Sequence, residues 1–255
     1  MVSNPVRARL VRGETVFGTM AFDFFTPGLC YVLAAGGAEF VILDTEHSGA
    51  GIDTIKAQIA FAHGAGIVPM VRVPGHAYHL VAPVLDAGAM GIMLPMTETR
   101  AQAEALVQWC RYRPEGKRGL AFGIAHDRWA PRPAAEAMQA ANDAILTIPL
   151  IETATGVANA REILSVPGID LGWMGHFDLS DSMGIAGKFE DPRFIAAEAS
   201  LLQAAKDAGK PMGWLAGDVA AARASLAKGF RALCLSTDVG LLRDAFAGML
   251  RDAKK

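Results

Sequence analysis

The chain has 255 residues, 52% hydrophobic and 20% charged, with 24 basic against 26 acidic side chains and a net charge of -2. That is apolar material enough for one large α/β domain over residues 1–255, and the missing basic excess argues against a nucleic-acid or anionic-membrane surface. The N-terminal stretch MVSNPVRARLVRGETVFG has charges where a signal peptide needs an apolar run, and no apolar stretch reaches the ~20 residues that span a bilayer, so a cytoplasmic protein is expected.

Short β-rich apolar runs alternate with longer Ala-rich amphipathic ones. Strands are predicted, in order, at Val16–Met20, Phe40–Asp44, Ile67–Val71, Gly91–Pro95, Ile145–Ile151, Leu171–Met174, Pro211–Leu215 and Ala232–Leu235. Helices are predicted at Pro27–Ala35, Ile52–Ala65, Leu80–Ala87, Arg100–Cys110, Gly156–Leu164, Pro192–Ala208, Val219–Lys228 and Val239–Ala253. Several strands follow a glycine-bearing helix stop such as AHGAG before Ile67 or KDAGK before Pro211. Eight strand–helix repeats in this length predict a (β/α)8 TIM barrel. A doubly wound sheet is disfavoured because no G-x-G-x-x-G follows the first strand. The Arg- and Pro-rich region 111–142 breaks the rhythm and is expected to be an elaborated loop with short helices covering the site. Cys30, Cys110 and Cys234 lie far apart in apolar segments and read as buried reduced thiols.

Barrel enzymes build their sites at the C-terminal ends of the strands. There the sequence delivers Asp44, Glu46 and His47 after the second strand, Arg72 after the third, Glu152 after the fifth and Asp178 after the sixth. Neighbouring strands would bring Glu152 and Asp178 close, where a divalent, oxygen-preferring cation (Mg²⁺, Mn²⁺ or Co²⁺) relieves their repulsion. The alternative is that each carboxylate caps the helix after it. Arg72 either pairs with a barrel carboxylate or clamps a substrate oxygen. Asp44 and His47 have the outline of a general-base dyad, although a strand-end histidine also serves as a structural hydrogen-bonder. His63 is expected on a helix surface, His76 and His79 at a solvated helix start, and His126 is a candidate lid residue. No lysine falls at a C-terminal strand end, so imine chemistry is disfavoured and metal must be the electron sink. Asp218 and Asp238 stand where many barrels bind phosphate, which argues against a phosphorylated substrate.

These residues sit in LDTEHSG (43–49), PMVRVP (69–74), VLDAGAMGIMLPM (84–96), RYRPEGKRG (111–119), LIETATGVAN (150–159) and GHFDLSDSMG (175–184). In that order they resemble the HpcH/HpaI family of metal-dependent class II pyruvate aldolases. The resemblance implies a barrel whose last helix is exchanged between protomers of a homo-oligomer, usually a hexamer. It implies Glu152 and Asp178 as metal ligands, His47 as base supported by Asp44, and Arg72 on the pyruvate oxygen. Gly175, Asp178 and Glu46 complete the expected substrate contacts, and Asp86 would approach a neighbour's site. The implied reaction is reversible cleavage of a 4-hydroxy-2-oxo acid to pyruvate, or a close 2-oxo acid, and an aldehyde. Oxaloacetate decarboxylation at the same site, or a barrel that only binds a 2-oxo acid, are the alternatives. The family usually has Pro at position 176, where this chain has His176, and Gly where Thr45 stands. It usually has Pro where Arg113 stands and an aromatic near Met20.

Overall fold

A computed structural model describes residues 3–255. Eight parallel strands close into a barrel in chain order: β1 (Val16–Ala21), β2 (Phe40–Asp44), β3 (Val68–Arg72), β4 (Gly91–Leu94), β5 (Leu146–Ile151), β6 (Gly172–Met174), β7 (Met212–Ala216) and β8 (Ala232–Thr237). The helices are α1 (Pro5–Val11), α2 (Leu29–Ala35), α3 (Ile52–Ala65), α4 (Tyr78–Asp86), α5 (Arg100–Cys110), α6 (Ala134–Ala144), α7 (Ala154–Ala158), α8 (Ala160–Leu164), α9 (His176–Ser182), α10 (Pro192–Asp207), α11 (Val219–Lys228) and α12 (Asp238–Ala253). This is the expected (β/α)8 barrel.

The strands are apolar throughout because both faces are covered. Phe40, Ile42, Val68, Met70, Ile148 and Leu150 fill the barrel interior. Val41, Leu43, Val71 and Ile92 face outward, against helix residues such as Ile55 and Ile59. Side chains alternate with a period of two, so residues 44, 72 and 152 continue the inward rows of β2, β3 and β5. The register sets Asp44 level with Arg72 and Ile151 level with Met174. Alternation and register together aim these polar groups into one end of the barrel.

The other end is closed by α1, which had not been expected. Its signal is the Asn4–Pro5 pair: Asn4 caps the helix, accepting from the Arg7 amide, and Pro5 opens it. Asn4 Nδ2 also donates to the carbonyls of Met90 (3.0 Å) and Ala144 (2.8 Å). Val6 and Leu10 join the barrel interior.

The 111–142 region does not cover the strand C-termini, contrary to expectation. Arg111 donates to the Ile145 carbonyl (2.8 Å) and to Asp170 (2.7 Å), both ahead of strands. Arg118 binds Asp86 at 2.8 Å, at the far end of α4. Arg111 and Arg118 thus anchor the segment toward the N-terminal ends of the strands, while the Gly119 amide donates to the Tyr78 hydroxyl at the start of α4 (2.7 Å). His126 is no lid over this site: its ring meets the Ala121 carbonyl at 2.6 Å and packs near Tyr112 and Phe122. His63 is half-buried rather than superficial, bonded to the Gly88 carbonyl at 2.8 Å, and burial lowers its pKa. Asp218 caps α11, and Asp238, the first residue of α12, anchors the loop after β1. Asp218 accepts from the Ala221 amide, and buried Asp238 accepts from the amides of Phe22, Asp23 and Phe24. The three cysteines are free and buried. Among the described residues no helix is long and apolar enough to cross a membrane.

Candidate active site

A cavity of about 340 Å³ opens at the C-terminal ends of the strands, with His47, Arg72, Glu152 and Asp178 on its wall. Four of the residues singled out in the sequence thus meet in one place, and Gly175 lines it too. Asp44 and Glu46 do not line the cavity; they stand behind Arg72. A larger groove, about 800 Å³, lies at the opposite end among Leu10, Lys206, Met212 and Arg231. It has no comparable convergence of carboxylates.

Asp44 is fully buried at the end of β2. Its Oδ1 accepts from Arg72 Nε at 2.6 Å and from the Glu46 amide at 3.2 Å, and its Oδ2 from the His47 amide at 2.8 Å. The His47 ring therefore donates no hydrogen bond to Asp44, as the dyad would require. The carboxylate grips the main chain of the turn, and the imidazole projects outward, 57% exposed, with Nε2 3.8 Å from Glu46 Oε2. The Thr45 hydroxyl donates to the Arg72 carbonyl at 2.6 Å, tying the same turn to β3.

Arg72 is 7% exposed. Beyond its bond to Asp44, its Nη1 lies 3.2 Å from Glu46 Oε2, and its guanidinium sits 5.5 Å from the Phe22 ring. Of the two sequence alternatives for Arg72, pairing with barrel carboxylates is the one seen, through Nε and Nη1; Nη2 is buried with no partner among the described residues. A buried donor without an acceptor is costly, and Nη2 is left free to donate. Burial raises the Glu46 pKa against the pull of Arg72.

Glu152 is buried at the head of β5, and its Oε1 accepts from the Met96 amide at 2.7 Å. Met96 holds a left-handed φ of 48° to aim that amide, a conformation that costs a non-glycine residue about 1 kcal/mol or more. Neither Met96 nor Phe22 had been singled out. Both lie on loops, where no periodicity reports the direction of a group. Position 175 needs glycine, since a Cβ there would collide with the Glu152 carboxylate. Burial pushes the Glu152 carboxyl up to about 7; the Met96 amide opposes this, and the neighbouring charges of Asp178 and Glu46 add to it.

Asp178 is exposed in the first turn of α9, at the cavity mouth. Among the described residues no three His, Cys, Asp or Glu side chains cluster closely enough to hold a metal ion by themselves. A cation here would take two carboxylates from the protein and its remaining oxygens from water and substrate, which is the habit of Mg²⁺. The donor set fits such an ion. Among the described residues Glu152 Oε2 has no donor, and the burial and acidic neighbours that raise its pKa are what a divalent charge would offset.

Residues 24–245 match the model of the HpcH/HpaI aldolase/citrate lyase family. The chain belongs to this family. It is thus an enzyme of the HpcH/HpaI aldolases, as the motifs implied. It is 34% identical to a hydroxypyruvate/pyruvate aldolase of Delftia acidovorans, over 95% of this chain and 90% of that one. It is 31% identical to a 2-keto-3-deoxy-L-rhamnonate aldolase of Shigella dysenteriae, over 96% and 87%. The crystal structure of an HpcH/HpaI aldolase from Desulfitobacterium hafniense superposes with a TM-score of 0.92 at 30% identity, covering 98% of this chain and 96% of that one.

Proposed function

We propose that this HpcH/HpaI enzyme catalyses the reversible aldol cleavage of a 4-hydroxy-2-oxo acid to pyruvate, or a close 2-oxo acid, and an aldehyde. A divalent cation, Mg²⁺ or Mn²⁺, is held by Glu152 and Asp178. One observation carries this: a buried carboxyl raised to about 7, a second carboxylate and a buried guanidinium nitrogen without a partner share one cavity. The relatives' names point the same way, since the substrates they give are 2-oxo acids.

When bound, the cation supplies a Lewis acid that lowers the cost of negative charge on the substrate's 2-oxo oxygen. Arg72 Nη2 donates a charge-assisted hydrogen bond to that oxygen as charge develops. In the cleavage direction the exposed His47 imidazole takes the proton of the C4 hydroxyl. C4 becomes the aldehyde carbonyl, and the C3–C4 bonding pair passes to the donor fragment, whose charge rests on the oxygen facing Arg72. Asp44 fixes both partners, holding the His47 turn by its amides and Arg72 by Nε. Gly175 leaves the amides that open α9 free for the substrate carboxylate, beside Asp178.

The test is exchange of the pyruvate C3 protons in D₂O, followed by NMR. Exchange is expected with Mg²⁺ or Mn²⁺ and is expected to stop on chelation. A metal-saturated protein that leaves pyruvate unexchanged overturns the proposal.

A further inference from the structure

His176 lines the same cavity as Glu152, Asp178 and Arg72. Its ring is stacked on Trp214 at 4.6 Å and 21°, lies 4.6 Å from Phe177, and meets Phe189 edge-on at 5.1 Å. A ring clamped in this way has its nitrogens fixed before any ligand arrives, so little ordering cost remains at binding. The rings of His63, His76 and His126 each hold a backbone carbonyl. The His176 nitrogens have no hydrogen-bond partner among the described residues. Packing alone does not call for an imidazole here, since phenylalanine would stack on Trp214 equally well.

The rest of the wall narrows the ligand. Met20, Phe22, Leu150 and Leu215 are apolar, and Arg72 is the one Arg or Lys on it. Arg72 faces Asp44 and Glu46 with Nε and Nη1. Thr237, also on the wall, accepts from the Gly240 amide with its hydroxyl as the cap of α12. Among the described residues no Arg or Lys on this wall is left for a second substrate carboxylate. An uncharged polar group is what a fixed, uncommitted imidazole recognises.

Resting on the aldolase function above, we propose that His176 determines specificity: its ring hydrogen-bonds a hydroxyl on the substrate, so that hydroxylated carbon chains are preferred to bare ones. An apolar chain covering the ring would strip water from a nitrogen and give nothing back, which penalises the analogue lacking the hydroxyl. That hydroxyl belongs either to C3 of the 2-oxo acid or to C2 of the aldehyde.

Two competitions with the Mg²⁺-loaded enzyme separate these sources. In one, pyruvate meets glycolaldehyde and propionaldehyde together, a pair that differs by hydroxyl against methyl. In the other, hydroxypyruvate and pyruvate compete for one aldehyde. Product ratios are read for the wild type, for His176→Phe, which keeps the stack, and for His176→Gln. A ratio formed within one tube is indifferent to slower turnover or partial unfolding. One of the two ratios is expected to fall about tenfold in His176→Phe and to recover in part in His176→Gln; which one falls identifies the hydroxyl. Both ratios unchanged in His176→Phe overturns the inference while leaving the aldolase proposal standing. A wild type that neither exchanges pyruvate protons nor forms product removes both.

Discussion

Arg72 and Glu152 show how one buried group can carry both structure and chemistry. The guanidinium spends Nε on Asp44 and faces Glu46 with Nη1, and it keeps Nη2 unpartnered. Arg72→Ala removes the donor but also leaves buried carboxylates unpaired, so stability falls along with activity. Arg72→Lys is the sharper variant. It keeps the charge, but a single ammonium cannot serve Asp44 and a substrate oxygen in the fork geometry of Arg. Steady-state turnover of a folded Arg72→Lys enzyme is expected to drop on the order of 10²-fold; near-normal turnover would refute the role. Glu152 yields a prediction about pH. The folded, metal-free chain keeps this carboxyl protonated up to about 7, whereas the ordinary value is 4.5. The folded state therefore binds more protons between those values, and its stability declines as pH rises from about 4.5 to about 7. In EDTA, the urea midpoint should fall across this window, by up to a few kcal/mol in unfolding free energy. Glu152→Gln should flatten the fall, as should added Mg²⁺ in the wild type. A wild-type midpoint independent of pH in EDTA, or one no flatter in the variant, would contradict the assignment.

At the level of elements, the loop after β1 is held in place by a helix that begins after β8. Asp238 opens α12 and is buried, and its two oxygens accept from the amides of Phe22, Asp23 and Phe24. Asp238→Ala strands those donors and should cost on the order of 2–3 kcal/mol. The local effect should be earlier amide exchange at residues 22–24 than in the neighbouring strand β1; unchanged protection there would refute it. The same carboxylate illustrates what the sequence conceals. The strands were legible because each is a short apolar run, several of them following a glycine-bearing stop. Four helices, α3, α5, α11 and all but the first residue of α12, fall at the expected bounds. Asp44, Arg72 and Glu152 could be placed because they sit at strand ends, where a period of two gives their direction. What lay on turns was not legible. The Asp44 carboxylate turned to the backbone of the His47 turn instead of its ring, and Asp238 turned to the amides of the loop after β1. Region 111–142 does not line the cavity, because Arg111 and Arg118 find partners, Asp170 and Asp86, that lie far from them in sequence. Such pairings are decided by tertiary geometry, and no local pattern announces them.

Across the whole molecule, the barrel buries its two apolar layers well, yet its last helix does not finish the task. Helix α12 packs its start against β1 and β8 and leaves Leu242, Phe246 and Met249 exposed at 62%, 65% and 73%. Leu241 and Leu250 are also exposed. Positions 242, 246 and 249 are spaced four and three apart, so they form a stripe along one helix face. A contiguous apolar stripe on a monomer surface marks a contact site. We propose that it is covered by a second copy of this chain, with α12 exchanged between protomers as the resemblance implied. Exchange would leave Asp238 in place, since it is the first residue of α12, at the hinge where the helix departs. Paired charges test this without touching the cavity. Leu242→Asp combined with Phe246→Asp should lower the assembly to monomer in sedimentation velocity, with the far-UV spectrum of the barrel retained. A wild type that sediments as a monomer at micromolar concentration refutes the exchange. So does a double variant that remains assembled, because two carboxylates buried in an apolar seam each cost several kcal/mol.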